Sequence, residues 1–260
     1  LQSTMTLVTT ATANLVEVFS AIQGEGLNVG TRQIFIRFGG CDLRCWFCDS
    51  ANTWKANRQC RIEKTPGQRD FEIYPNPIEQ EQLLSWIKQQ HQPQLHDSIS
   101  LTGGEPLLHA KFLQQFLPRL KATTQLPIYL ETGGHRPQQL SLILDSLDCI
   151  GMDLKLPSVS GEKQWLAHEE FLRLSLPQKE LFVKLIVSDQ TSEAELKQAR
   201  SIIARVSSEI PVILQPVTQL EGNCPTPPTA EQVLSWQYFF KEALSTVRVI
   251  PQTHKMIGQL

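Results

Sequence analysis

Along Leu15–Phe19 (LVEVF) apolar and polar residues alternate, the period of a short strand with one buried face. Gln33–Phe38 (QIFIRF) predicts a second strand, on which Arg37 points to the opposite face from Ile36 and Phe38. If that face is enclosed, its guanidinium needs an anionic partner. Residues 56–77 are polar, with two prolines, a glycine and clustered basic residues, and read as an extended insertion loop. Beyond it, Ile78, Leu83, Leu84 and Ile87 recur at helical spacing over Pro77–Gln90. A strand at Ser98–Leu101 then opens a regular alternation. Helices are predicted at 109–123, 137–146, 161–172, 192–207 and 229–244, with strands at 127–131, 148–154, 181–187, 211–215 and 247–250 between and after them. Apolar, β-branched strands separated by amphipathic helices are the pattern of βαβ units and a parallel sheet. About six such units are too few for a closed eight-stranded barrel, so a partial (β/α)6 barrel is expected. No second domain and no short-period repeat is visible. Residues 1–14, rich in Thr and Ala, are expected to be a flexible N-terminal segment, with 15–260 as one domain carrying insertions near 55–77 and 157–179.

Composition narrows the function classes. The 260 residues carry a formal net charge of −2, which offers no basic field for a nucleic-acid partner. No apolar run is long enough to span a bilayer, and the first fourteen residues lack the basic start and apolar stretch of a signal peptide. Six cysteines without an export signal suggest a reducing cytoplasm and thiols used for metal chemistry.

Three of those cysteines, Cys41, Cys45 and Cys48, fall within eight residues as C-x3-C-x2-C. Iron–sulfur clusters are held by cysteine thiolates, and structural zinc sites close with four protein ligands. Three close thiolates with no fourth nearby favour a [4Fe–4S] cluster with one iron left open. The competing reading is a zinc knuckle completed by distant Cys60. The spacing, with Phe47 just before the third cysteine, resembles the cluster motif of the radical S-adenosylmethionine (SAM) enzymes. That resemblance implies a partial barrel of the radical SAM type, SAM on the open iron, and a 5′-deoxyadenosyl radical that abstracts hydrogen from substrate.

Polar groups also recur where strands end, the place at which parallel α/β folds build their sites. Thr102-Gly103-Gly104-Glu105-Pro106 follows one strand, its glycines allowing the backbone to approach a ligand, and Glu105 is a candidate for the SAM ammonium. Glu131-Thr132-Gly133-Gly134, Asp153-Leu154-Lys155 and Gln215-Pro216-Val217-Thr218 follow others. Each alone suits a loop or a helix cap; together they suggest a shared site.

Gln23-Gly24-Glu25-Gly26, Arg37, Cys48-Asp49-Ser50, Thr102–Pro106, Glu131-Thr132 and the C-terminal Pro251-Gln252-Thr253-His254-Lys255 recur together in one family. From about Val16 onward, outside 55–76 and 157–179, the chain resembles 7-carboxy-7-deazaguanine synthase. The resemblance implies conversion of 6-carboxy-5,6,7,8-tetrahydropterin to 7-carboxy-7-deazaguanine with loss of ammonia and regeneration of SAM, in queuosine-type 7-deazapurine biosynthesis. It places Ile22, Gln23, Gly24, Glu25, Arg37, Thr102, His254 and the Leu260 carboxylate at the pterin. It places Phe47, Cys48, Asp49, Gly104, Glu105, Glu131, Asp153, Leu154, Lys155 and Gln215, Pro216, Val217, Thr218 at SAM. Mg²⁺ would take Ser50, where the family usually has threonine. Gly133 stands where the family often has Asn, and Asp153-Leu154-Lys155 replaces a Ser-Pro-Lys pattern. An electron donor such as flavodoxin or ferredoxin and a homodimer are further implications. The alternatives are another radical SAM reaction, such as a glycyl-radical activase, which leaves Gln23, Glu25 and Arg37 without a task, and a non-catalytic iron–sulfur or zinc module, which leaves Thr102–Pro106 unexplained.

Overall fold

The computed structural model describes residues 11–176, 179–219 and 226–259. Ten strands form one sheet: β1 (Leu15–Ile22), β2 (Arg32–Phe38), β3 (Gln59–Glu63), β4 (Phe71–Pro75), β5 (Ser98–Gly103), β6 (Ile128–Thr132), β7 (Cys149–Asp153), β8 (Glu180–Val187), β9 (Val212–Pro216) and β10 (Val247–Val249). Their spatial order is β10-β9-β8-β7-β6-β5-β2-β1-β3-β4. From β2 through β5 to β10 every neighbouring pair is parallel, while β1 turns back antiparallel onto β2 and β3 is parallel to β1. The parallel strands β2 and β5–β9 are the expected partial (β/α)6 barrel, with β10 as an extra strand on the far edge.

The helices are α1 (Gln80–Gln90), α2 (Ala110–Thr124), α3 (Pro137–Ser141), α4 (Pro157–Ser160), α5 (Trp165–Ser175), α6 (Glu193–Val206), α7 (Ala230–Lys241) and α8 (Thr253–Met256). Helix α2 buries Phe112, Leu113, Phe116, Leu117 and Leu120, the i, i+3/i+4 stripe of a core-facing helix. Helices α6 and α7 both start with a complete capping box, Ser192 with Glu195 and Thr229 with Gln232, which satisfies two otherwise orphaned N–H groups at each end. The strands fill the interior with fully buried Ile34, Ile36, Leu101, Ile128, Leu130 and Ile150.

Three expectations need correction. Residues 56–77 are a β-hairpin: β3 and β4 pair antiparallel from Gln59↔Pro75 to Glu63↔Phe71 and extend the sheet beyond β1. Strand β1 therefore lies between two neighbours, and both of its faces are buried rather than one. Order also begins before Leu15, since Ala13 exchanges backbone hydrogen bonds with Ile78 (3.0 and 2.8 Å). The loop around Cys224, the Leu260 carboxylate and residues 1–10 lie outside the described residues.

Candidate active site

The carboxyl ends of the parallel strands open onto a cavity of about 480 Å³. Strand β2 runs into Gly39-Gly40 and the loop bearing Cys41, Cys45 and Cys48, all three of which line this cavity as free thiols. The loop is clamped from the neighbouring strand end: Gly104 N donates to Phe38 O (3.0 Å) and Glu105 N to Gly40 O (2.8 Å). A Cβ on Gly104 would lie 2.1 Å from Gly40 O, and one on Gly103 (φ +124°) 2.3 Å from Phe38 O. Those glycines therefore make room for the backbone of β2 and the cysteine loop, and both also line the cavity. Cys60 is buried in β3 opposite Tyr74, away from the cavity, so it does not complete a zinc site. Burial holds the Cys41 thiol up at about 11 and raises Cys45 as well. Three clustered thiols of this kind, without a fourth among the described residues, suit a cluster whose iron supplies the compensating charge.

Orphaned acceptors face the same space. Asp153 Oδ1, at the end of β7, and Gln215 Oε1, at the end of β9, are buried without a hydrogen-bond partner. A buried acceptor without a donor is costly, and SAM, with its ammonium and ribose hydroxyls, brings donors of the required kind. The other Asp153 oxygen pairs with Lys155 Nζ (2.5 Å) and lies 3.6 Å from Lys184 Nζ. Glu105 is committed within the fold, accepting from Leu107 N (3.0 Å), Thr132 Oγ1 (2.8 Å) and Gly133 N (2.9 Å).

A second group of polar residues gathers around Gln23. Gln23 Nε2 donates to Glu131 Oε1 (2.9 Å) and Gln33 Oε1 (3.1 Å), and Ser100 Oγ donates to Glu131 (2.8 Å). Burial raises the Glu131 carboxyl pKa, with Glu25 adding to the effect against Lys184. Glu131, read from sequence as a SAM residue, is thus bonded to the residue read as a pterin contact. Glu25 pairs with Lys184 and accepts from Gln252 Nε2 (2.7 Å). Burial works against its ionisation, but Lys184, Gln252 and His254 together hold it down at about 2. The same Gln252 nitrogen reaches Asp49 Oδ2 (2.9 Å), which Lys255 also pairs (3.2 Å). Glu25, Asp49 and His254 bring ligand atoms within 4.8 Å of one another. Both carboxylates already have cationic partners, so this trio is a latch between the C-terminus and the cavity rather than a place for another cation. Thr253 N donates to Gly24 O (2.9 Å), and a Cβ on Gly24 would collide with the His254 ring at 2.2 Å.

A sequence model of the Radical SAM superfamily matches residues 35–168, which include the cysteine loop and the strand ends that clamp it. The 7-carboxy-7-deazaguanine synthase of Geobacter sulfurreducens is 44% identical over 251 residues, 95% of this chain and 98% of the relative. That of Thermococcus kodakarensis is 32% identical, covering 80% of this chain and 85% of its own length. The chain belongs to the 7-carboxy-7-deazaguanine synthase family. Its fold agrees with the crystal structure of QueE from Escherichia coli, at TM-score 0.58 and 19% identity over 94% of this chain and 95% of that one.

For a member of this family, most residues singled out by motif come together: Ile22, Gln23, Gly24, Glu25, Arg37, Thr102 and His254 all line the cavity, as do Phe47, Asp49, Lys155, Val217 and Thr218. Leu154 and Pro216 do not line it; Leu154 is buried in the apolar core, and Pro216 is the last residue of β9. Motif reading missed Lys184, Gln252, Glu17 and Arg61. The signal for two of them is the one that exposed Arg37: Lys184 in LFVKLIV and Glu17 in LVEVF are single charges inside apolar strands. Also missed was the tie between the cysteine loop and β6. Asp42 pairs with Arg136 (2.7 Å) and His135 Nε2 (3.0 Å); although burial opposes it, the Asp42 hydrogen bond raises the His135 pKa.

Proposed function

We propose that this chain is the lyase that converts 6-carboxy-5,6,7,8-tetrahydropterin to 7-carboxy-7-deazaguanine with release of ammonia. The observation that carries the reading is a single cavity whose walls hold both the three cysteines and the Gln23–Glu25–Arg37–His254 group. Cys41, Cys45 and Cys48 would hold the [4Fe–4S] cluster, and Asp153 and Gln215 would accept from SAM; together those cofactors supply hydrogen abstraction when bound. The polypeptide's part is to bind and orient. Arg37 offers a fork to the pterin carboxylate. Gln23 and Glu131 present a hydrogen-bonding edge to the ring, and Glu25, held ionised, suits its basic nitrogens. Ser50 is a reasonable Mg²⁺ ligand. Among the described residues its hydroxyl makes no hydrogen bond but the 3.8 Å contact with Cys48 Sγ, while its carbonyl accepts from Thr53. Mg²⁺ commonly keeps its waters and borrows substrate oxygens, so one protein ligand suffices.

A flavodoxin- or ferredoxin-like electron donor and a homodimer are parts of the proposal that rest on the family resemblance, and a cytoplasmic setting rests on the cysteine content of the sequence. No helix among the described residues is long and apolar enough to cross a membrane. The test is anaerobic turnover of the reconstituted protein with SAM, reductant, Mg²⁺ and the carboxytetrahydropterin. The expected result is a deazaguanine product without stoichiometric loss of SAM, formed more slowly when Mg²⁺ is omitted. One-for-one consumption of SAM with no deazaguanine contradicts it.

A further inference from the structure

Arg61 reaches the cavity from β3, in the hairpin that the motif resemblance does not cover. Its Nη2 lies 2.6 Å from Glu17 Oε2 and its Nε donates to the same oxygen at 2.7 Å. The other Glu17 oxygen accepts from Arg37 Nε at 2.7 Å. Strand register builds this arrangement, because Glu17 is the Cα partner of Arg37 across β1–β2 and of Arg61 across β1–β3. Each guanidinium also has an aromatic ring nearby, Phe71 at 4.5 Å from Arg61 and Phe19 at 5.5 Å from Arg37. Glu17 is 4% exposed, so it cannot be left without partners cheaply.

An isolated Arg37–Glu17 pair is neutral and a poor receptor for an anion. With Arg61 the trio carries a net charge of +1, and Glu17 engages Arg37 through Nε alone. The terminal nitrogens of Arg37 make no hydrogen bond among the described residues and remain available to a carboxylate, whose geometry a guanidinium edge matches.

We propose that Arg61 is a positioning residue for the substrate carboxylate: through Glu17 it orients the Arg37 fork, and it gives the trio beside that carboxylate its net positive charge. The inference rests on the reading of Arg37 as the carboxylate anchor and adds the β3–β4 hairpin to what selects a carboxylated pterin.

The experiment compares Arg61→Gln, Arg61→Lys and Arg37→Ala in the reconstituted, SAM-loaded protein. Calorimetry measures binding of 6-carboxytetrahydropterin and of tetrahydropterin lacking the carboxylate, and turnover gives KM and kcat. Arg61→Gln is expected to weaken the carboxylated ligand about tenfold, raise KM alike and leave kcat within about twofold, the pattern of lost uniform binding. Its affinity for the unsubstituted pterin stays at the parent value. Arg61→Lys, which keeps the charge but loses the fork, recovers part of the loss. If Arg37→Ala weakens the carboxylated ligand while Arg61→Gln does not, the inference falls and the reading of Arg37 stands. If Arg61→Gln weakens both ligands equally, its role is merely structural and the inference also falls. If Arg37→Ala leaves carboxylated-ligand affinity unchanged, the anchor reading itself is wrong and the inference goes with it.

Discussion

At the level of single residues, the site is a set of buried charges that hold one another in place. Lys184 is the clearest case, since it sits between Glu25 and Asp153, and their charges, with Glu131, raise its pKa against the cost of burial. Lys184→Met would take from Glu25 its ion-pair partner, while Asp153 keeps Lys155, and breaking a buried pair costs about 3 kcal/mol or more. The sign of the pH dependence follows from Glu25. Its folded-state pKa of about 2 lies below the ordinary 4.5, so its pairing stabilises the fold fully above pH 4.5 and is lost as pH falls toward 2. With the cluster removed from both proteins, urea unfolding is therefore expected to show a large stability gap at pH 7 that narrows at pH 3. A gap equal at both pH values would mean that the Lys184–Glu25 pair is not its source. The charged interior was only partly legible in the sequence. Arg37 stood out because a motif drew attention to its strand, whereas Glu17 and Lys184 carry the same signal without one. Arg61 lies in a stretch too polar to look like a strand.

Among the elements, legibility followed burial. Helices α2, α6 and α7 bury one face and carry recognisable stripes or caps, so their periodicity located them to within a few residues. The β3–β4 hairpin was missed because β4 is an edge strand with mostly exposed side chains, and neither strand alternates cleanly. What holds the hairpin is a polar device. The buried Glu63 carboxylate accepts from Gly67 N (3.0 Å) and Arg69 N (2.9 Å) across the turn and from Ser20 N (2.9 Å) on β1. Arg69 (φ 59°) and Gly67 (φ 79°) are both in the left-handed region, which those bonds help to fix. Hydrogen bonds to a charged acceptor contribute about 1.5–3 kcal/mol each, with losses that are not additive. Glu63→Ala is accordingly expected to lower stability by about 3 kcal/mol or more by denaturant unfolding, and to expose the β3–β4 turn to proteolysis first. Unchanged stability would show that the hairpin is held by its apolar contacts alone. The four-residue helix α8 is too short for any periodicity to reveal.

In the whole molecule, distant segments converge on one cavity at the open end of a partial barrel. Ile22 N donates to Gln259 Oε1 (2.8 Å), Thr253 docks on Gly24, and Gln252 spans from Glu25 to Asp49 beside the cysteine loop. Such contacts, more than 200 residues apart in the chain, carry no local periodicity. The motifs at both ends could be read one by one, but their meeting appears only in the fold. That meeting places Gln23, Glu25, Arg37 and His254 around the same cavity as Cys41, Cys45 and Cys48, beside which no fourth cysteine lies among the described residues. The most direct test is electron paramagnetic resonance of the reduced, anaerobically reconstituted protein, recorded before and after addition of SAM. A [4Fe–4S]⁺ signal that changes on addition of SAM, and that is lost when any one of Cys41, Cys45 or Cys48 is replaced by alanine, is the result expected. A signal indifferent to SAM, or a metal retained with full occupancy after those replacements, would contradict the account.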